Sequence, residues 1–142
     1  MTVKQLSVFI ENRQGRLGEV LKVLKENKVN ILSFSLSDTT EYGLLRIIVN
    51  DPAKGCDVLV RDGFSSMLTD VFIVKVPHVA GALQSILERI AEKNINIEYA
   101  YGLTVGEDDA SIVMKTNDLD LACRVLKDEH IETMSVTELS SL

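Results

Sequence analysis

The sequence predicts an α+β fold of two βαββαβ units in tandem, each with an antiparallel sheet and both helices on one face. Two observations lead to this fold class. The stretch of sequence around Gly15 recurs around Gly81, and the apolar pattern within each copy alternates between strand and helix periods. The 142 residues suffice for one medium domain or two very small ones. We therefore place one unit at residues 1–69 and the other at residues 70–142.

The repeat needs no gap, since the segment from Gln14 to Ile31 overlays the segment from Ala80 to Ile97. The identical pairs are Gly15 and Gly81, Leu17 and Leu83, Leu21 and Leu87, Glu26 and Glu92, Asn30 and Asn96, and Ile31 and Ile97. Stacked repeat arrays need three or more copies to bury a core, so a pair of copies indicates two small domains.

Each copy opens with a strand and an amphipathic helix. Leu6, Val8 and Ile10 alternate along one strand face, as a half-buried strand requires. Their equivalents in the second copy are Phe72, Val74 and Val76. The helical stripes are Leu17, Val20, Leu21 and Leu24 in the first copy and Leu83, Ile86, Leu87 and Ile90 in the second.

A hairpin follows each helix. The predicted strands are Asn30–Leu36 and Leu44–Val49 around a turn at Ser37–Glu41, and Asn96–Leu103 and Ser111–Lys115 around a turn at Gly106–Asp109. The inward-facing phase slips by one residue between the copies, so we expect one of the hairpins to be longer.

A second helix and a closing strand complete each copy. Asp51-Pro52 and Asn117-Asp118 are helix starts, and Gly63 is a helix stop. The predicted buried residues of these helices are Cys56, Leu59 and Val60, then Leu119, Ala122, Cys123 and Leu126. The closing strands are Met67–Val71, which runs directly into Phe72, and Thr133–Leu139.

This element order places four antiparallel strands side by side with both helices on one face, the ferredoxin-like split βαβ arrangement. We call the opposite side of each sheet its open face. A unit of this size buries a small core, so we expect the open face or a sheet edge to dock on another unit, giving a homodimer or a larger homo-oligomer.

Composition excludes several function classes. The net charge is −6, and no stretch concentrates lysine and arginine, which argues against nucleic acid. No apolar run approaches the roughly 20 residues of a membrane helix, and the first residues lack the pattern of a signal peptide, so we expect a cytoplasmic protein. Cys56 and Cys123 have neither disulfide nor zinc-site spacing; we expect reduced side chains with packing roles, no metal and no cofactor.

The stretch LSVFIENRQGRL at residues 6–17, followed by Asn30-Ile31, resembles the start of an ACT domain, a small amino-acid-binding regulatory module. The chain is most similar to the regulatory subunit of acetolactate synthase and to short proteins made of two ACT domains and little else. The resemblance covers both copies. The family turn usually carries proline before the glycine, whereas this chain has Gln14 and Ala80 there.

The resemblance implies a free amino acid as effector, bound between this turn and the second strand of a neighbouring unit. Glycine permits close backbone approach, and the N–H groups of the following helix can hold a carboxylate. The implied binding residues are Asn12, Arg13, Gln14, Gly15, Arg16 and Leu17 with Asn30 in the first copy, and His78, Val79, Ala80, Gly81, Ala82 and Leu83 with Asn96 in the second. The first turn has more polar side chains, so we expect the stronger carboxylate site there.

Alternatives remain open at the level of the sequence. Both glycines are also explained as plain turn residues, Asn30 and Asn96 as residues that shape the helix exit, and His78 as a solvated loop residue. Tyr99 and Tyr101 either line a pocket or cover the open face.

Three functions fit. The first is a non-catalytic sensor that modulates an enzyme of amino-acid metabolism, with the acetolactate synthase regulatory subunit as a specific case. The others are a ligand-free dimeriser and a small ferredoxin-like enzyme, although no nucleophile–base pair or phosphate loop supports the enzyme.

Overall fold

The computed structural model describes residues 2–38, 41–104 and 109–142. The two predicted hairpin turns fall partly outside these ranges, at residues 39–40 and 106–108. The chain divides into two compact units, Lys4–Thr69 and Asp70–Leu142, and the second includes the first residues of the chain up to Val3. Among the described residues, no helix is long and apolar enough to span a bilayer.

The elements of the first unit are β1 (Val3–Glu11), α1 (Arg16–Glu26), β2 (Ile31–Asp38), β3 (Tyr42–Val49) and α2 (Pro52–Arg61). One long strand, β4 (Ser65–Pro77), continues from the first unit into the second. The second unit then contains α3 (Ala82–Ala91), β5 (Ile97–Thr104), β6 (Asp109–Thr116), α4 (Leu119–Asp128) and α5 (Val136–Ser140). The proposed domain boundary at residues 69 and 70 therefore lies inside β4.

The first unit has the predicted ferredoxin-like arrangement. Its strand order is β2-β3-β1, with antiparallel pairs β1–β3 and β2–β3. Residues 65–69 of β4 flank β1, where the Ser7 and Thr69 hydroxyl oxygens are 3.0 Å apart. Leu6 and Val8 lie opposite Ile47 and Leu45, and all four are buried in one core with residues of α1 and α2. Both helices therefore cover the same face of this sheet.

The second unit repeats this arrangement as β4-β6-β5, but its closing strand is almost absent. The predicted strand Thr133–Leu139 is wrong. A single bridge joins Val74 to Thr133, and the Met134 N–H donates to the Ile73 oxygen at 2.8 Å. The chain then forms α5, because Ser135 and Glu138 make a capping box that favours a helix start over a strand.

The helix α5 lies over part of the open face of the second unit. Val74 and Val76 face the core under α3 and α4, so Lys75 between them lies on the open face. Lys75 Nζ contacts Glu138 Oε2 of α5 at 2.7 Å, and Leu139 beside it is only 3% exposed. The prediction of an uncovered open face is therefore wrong for the second unit.

The units also differ in the length of their hairpins, as the phase slip predicted. Residues 39–41 separate β2 from β3, whereas residues 105–108 separate β5 from β6, so the second hairpin is the longer one. Because the second hairpin has one extra residue, equivalent positions that follow the hairpins are one residue further apart in the sequence. The cap of α2, Asp51, therefore corresponds to Asp118, the cap of α4.

The second helices follow most of the sequence predictions. Asp51 and Asp118 cap α2 and α4 through their side chains, and Gly63 ends α2 with φ +90°. Val60 is the exception, since it is 53% exposed while Val58 is buried in its place. The predicted core positions Cys56 and Leu59 are confirmed, and Val60 is wrong because three apolar residues at 58–60 leave the inward direction ambiguous.

The two cysteines lie at core-packing positions and His130 lies at the end of α4. Cys56 and Cys123 are free thiols, half-buried, and each packs against the core of its unit. His130 follows α4 with φ +55°, a left-handed conformation that ends the helix.

Candidate functional site

The two glycine turns have the same backbone conformation. We define the first turn as residues 12–17 and the second turn as residues 78–83. Gly15 has φ +84° and ψ −9°, and Gly81 has φ +85° and ψ −6°. Left-handed values of this kind favour glycine, and they arise here without the proline that the family turn usually carries.

The backbone hydrogen bonds of the two turns also correspond. The Arg13 N–H donates to the Glu11 oxygen at 2.8 Å, and the Val79 N–H donates to the Pro77 oxygen at 2.8 Å. The next bond in the first turn runs from the Arg16 N–H to the Arg13 oxygen, and its equivalent is present in the second turn. Each turn is therefore a defined structural motif rather than an irregular connection.

The helices that follow these turns begin without a side-chain cap. Gly15 and Gly81 are the N-cap residues of α1 and α3, and neither helix has a capping side chain. By contrast, side chains cap α2, α4 and α5. The first intrahelical bond of α1 starts at the Glu19 N–H, so the amides of Leu17 and Gly18 have no acceptor within the helix. Such N–H groups can bind an anion.

The cationic side chains of the first turn already pair with carboxylates. Arg13 Nε contacts Glu11 Oε2 at 2.9 Å, and Arg16 Nη1 contacts Glu19 Oε2 at 2.5 Å. The Arg16 guanidinium also lies 4.2 Å from the centre of the Phe64 ring. Arg16 therefore lies along a groove between α1 and the end of α2, whose other charged residues are Glu19, Lys22, Glu26 and Asp62.

The second turn lies beside an open depression with a different lining. Pro77 and the turn residues 78–81 line it, together with Leu83 and Gln84 of α3. Val76 on β4 and Ala110 and Ile112 on β6 complete the lining. His78 and Val79 are the first two turn residues of this lining, and Val79 is 71% exposed.

Asn30 and Asn96 lie at the far ends of α1 and α3 from their own turns. The 11 residues of α1 separate Asn30 from Gly15 by about 16 Å along the helix. Their backbones are held by two other asparagines, Asn50, which the sequence interpretation did not name, and Asn117, which it named only as part of a helix start. Asn50 Oδ1 accepts from the Asn30 N–H at 2.9 Å, and Asn117 Oδ1 accepts from the Asn96 N–H at 3.0 Å.

These bonds join the start of each hairpin to its end, since the Asn50 N–H also donates to the Asn30 oxygen and the Asn117 N–H to the Asn96 oxygen. The available signal was the Asn-Asp pair before each second helix, at residues 50–51 and 117–118. The structure thus places the predicted residues of each turn together and leaves Asn30 and Asn96 apart from them within the same unit.

Tyr99 and Tyr101 lie on the open face. Tyr101 is opposite Val113, which is itself opposite Ile73, and Ile73 alternates with the core residues Phe72 and Val74. Of the two alternatives for these tyrosines, the strand register therefore favours the open face. Within residues 2–38, 41–104 and 109–142, no cluster of three or more potential metal-binding side chains occurs.

Known proteins identify the family. The sequence profile described as "ACT domain pair" matches residues 1–142. The chain belongs to the ACT-domain family. Both copies of the repeat are therefore ACT domains, and the two glycine turns occupy corresponding positions in the two domains.

Solved structures agree with this ACT-domain pair. Protein BT0572 from Bacteroides thetaiotaomicron is 33% identical, with a TM-score of 0.93 over 100% of this chain and 98% of that one. The regulatory subunit of aspartate kinase from Thermus thermophilus is 16% identical, with a TM-score of 0.65 over 89% and 90% of the two chains. Its counterpart from Thermus flavus, also 16% identical, has a TM-score of 0.60 over 89% and 92%. No curated protein matches the sequence.

Proposed function

We propose that this ACT-domain pair is a non-catalytic sensor that binds a free amino acid at its glycine turns and modulates an enzyme of amino-acid metabolism. One observation carries the proposal: the helices that follow Gly15 and Gly81 are those that begin without a capping side chain. A bound carboxylate would satisfy the N–H groups that a side chain satisfies in α2, α4 and α5.

Regulation requires that the amino acid bind two arrangements of the protein with different affinities. Binding between the turn of one unit and the second strand of another would meet this requirement, because the ligand then favours one packing of the units. The aspartate kinase regulatory subunits share this fold and offer a precedent for its use in the regulatory subunit of an enzyme. The partner enzyme and the cytoplasmic location stay predictions.

A thermal-shift screen of the full chain with the twenty amino acids tests this function. A ligand that binds only the folded state raises the free energy of unfolding by about 4 kcal/mol at about 1,000 times its Kd. We expect one or a few amino acids to raise Tm. If every amino acid leaves Tm unchanged, the sensor is wrong and a ligand-free dimeriser is favoured.

Self-association is part of the proposal. Phe9 and Tyr42 lie opposite Leu44 and Glu11 on the open face of the first unit, and they are 48% and 51% exposed. Exposed apolar surface of this kind favours a protein partner. Sedimentation should give a homodimer or larger at micromolar concentration, and a monomer of 15.7 kDa would contradict it.

A further inference from the structure

We infer that two copies of this chain pack face to face, about a two-fold axis, through the open face of the first unit. The inference rests on the self-association in the proposed function and adds the surface and its geometry. A comparison of two equivalent positions carries it: Lys75 of the second unit is contacted by a helix of its own unit, whereas Phe9 of the first unit is 48% exposed.

Phe9 and Lys75 occupy the same place in the two sheets. Phe9 lies opposite Leu44 across β1 and β3, and Lys75 lies opposite Ser111 across β4 and β6. Phe9 and Lys75 both alternate with core residues along their strands, so both side chains lie on the open face. An apolar pair in the first unit thus corresponds to a polar pair in the second.

The polar pair belongs to the unit that supplies its own cover. Lys75 contacts Glu138 of α5, and Ser111 is buried. In the first unit, α1 and α2 both pack on the other side of the sheet. Exposed apolar residues at positions whose equivalents are covered favour a cover that comes from another molecule.

Phe9 belongs to a continuous apolar surface. Tyr42 of β3 lies on the same face, two residues from the cross-strand partner of Phe9. On the other side of β1, the Thr69 hydroxyl contacts that of Ser7, which places Met67, two residues before Thr69, on the open face as well. Tyr42 and Met67 are 51% and 53% exposed. We call these side chains of three neighbouring strands the apolar patch: Phe9, Tyr42, Leu44 and Met67.

The charges on the two sides of the apolar patch fit a second copy of the same patch. Glu11 and Arg46 lie on the open face, two residues beyond Phe9 and Leu44 in opposite directions along the strands. A two-fold axis that runs across the strands, between two facing copies, places Glu11 of each copy opposite Arg46 of the other. Packed sheets lie about 10 Å apart, a gap that these two long side chains span together. A second copy therefore supplies both an apolar cover and opposite charges.

Sedimentation equilibrium of the full chain and its variants tests the surface. Phe9→Glu and Met67→Glu should each raise the dissociation constant of the dimer about tenfold or more, because each buries a carboxylate within the apolar patch. The matched control is Phe34→Glu on β2. Phe34 is 58% exposed but lies opposite the core residue Ile47, hence on the helix side of the sheet, and this variant should leave the dissociation constant unchanged. Circular dichroism establishes that the variants are folded.

Exchange of the two charges tests the two-fold arrangement. Glu11→Arg and Arg46→Glu should each raise the dissociation constant about threefold or more, since like charges then face each other, and the double variant should restore it. Within one chain the two side chains lie four residues apart along the strands, about 13 Å, so restoration reports a contact between copies.

A dimer that tolerates both Phe9→Glu and Met67→Glu, or one that dissociates with Phe34→Glu alone, would overturn the inference and leave self-association intact. A double charge variant that stays as weak as the single ones would overturn the two-fold arrangement. A monomeric unmodified protein would overturn the inference together with the proposed self-association. The sensor function is decided separately, by the thermal-shift screen with amino acids.

Discussion

The two turns share one backbone and differ in what surrounds it. Their glycines agree to within a few degrees in φ and ψ, yet the first turn carries two arginines that pair with glutamates, and the second lies beside an apolar depression. The same motif therefore places an uncapped helix start in both units, while the neighbouring side chains differ. The backbone of the turn is thus common to both units, and the side chains around it are not.

The open faces of the two units also differ in what covers them. In the first unit, Phe9 and Tyr42 remain about half-exposed on this face. In the second unit, α5 lies on it through Lys75 and Glu138. At the repeat spacing, the residues of the first unit that correspond to α5 lie in β4, which runs without a break into the second unit.

The largest expected effect is on the contact that only the second unit has. Leu139→Ala should lower the free energy of unfolding by about 2–4 kcal/mol, because Leu139 is 3% exposed in α5 and loses most of a buried side chain. Urea denaturation measures the change. The matched control is Val136→Ala, at a 59% exposed position of the same helix. Equal losses for both variants would mean that α5 does not pack on the sheet.

Substitution of Gly15 and of Gly81 by alanine should lower the free energy of unfolding by similar amounts. Gly15→Ala and Gly81→Ala should each lower the free energy of unfolding by about 1–2 kcal/mol, because alanine is strained at these φ values. A methyl group at either position would meet no atom within 4 Å among the described residues, so the cost is that of the backbone alone. Unequal losses would mean that the turns differ in conformation as well as in surroundings.

A buried hydroxyl provides a comparison of the two cores. Thr116 Oγ1 is buried without a hydrogen-bond partner in the described structure, and Val49 holds the equivalent place at the end of β3 in the first unit. Thr116→Val should raise the free energy of unfolding by about 1 kcal/mol, since it removes an unsatisfied polar group at nearly constant volume. Thermal denaturation measures it, and a lower Tm would mean that the hydroxyl has a partner such as buried water.

The smallest expected effect is on the pH dependence of stability. The hydrogen bond from Lys75 holds the pKa of Glu138 below its usual value, aided by the backbone N–H of Ser135. The ionised form therefore adds stability that is present above the unfolded-state pKa and is lost as pH falls through the folded-state pKa. Glu138→Gln should flatten the loss of Tm on acidification between about pH 5 and pH 3.

Lys75→Met tests the same ion pair from its other side. It should reproduce most of the flattening, and the double variant should add little to either single change because one contact is lost in each case. If Lys75→Met leaves the pH profile of Tm unchanged, the Glu138 carboxylate is stabilised by the capping box alone.

Residue periodicity was sufficient for the tandem repeat, for the order of the elements up to α4 and for a difference in length between the hairpins, because the signals are local. Alternation marks strands, a spacing of three and four marks helices, and Asp51 and Asp118 mark helix starts. Periodicity failed at Val60, where adjacent apolar residues leave the phase open, and at α5, where the Ser135–Glu138 box outweighs the strand-like segment that follows Thr133.

The glycine turns were recognisable from sequence, but their surroundings depended on residues far away in the chain. The pairing of Val76 with Ala110, which forms the depression beside Gly81, joins two strands that α3 and β5 separate along the chain. Likewise, Asn50 reaches the Asn30 amide across the first hairpin. Short-range patterns specify which elements form and in what order, because each element satisfies its own backbone. Which side chains meet at a site is decided when the elements pack, since that depends on strand register and on the path of the chain end.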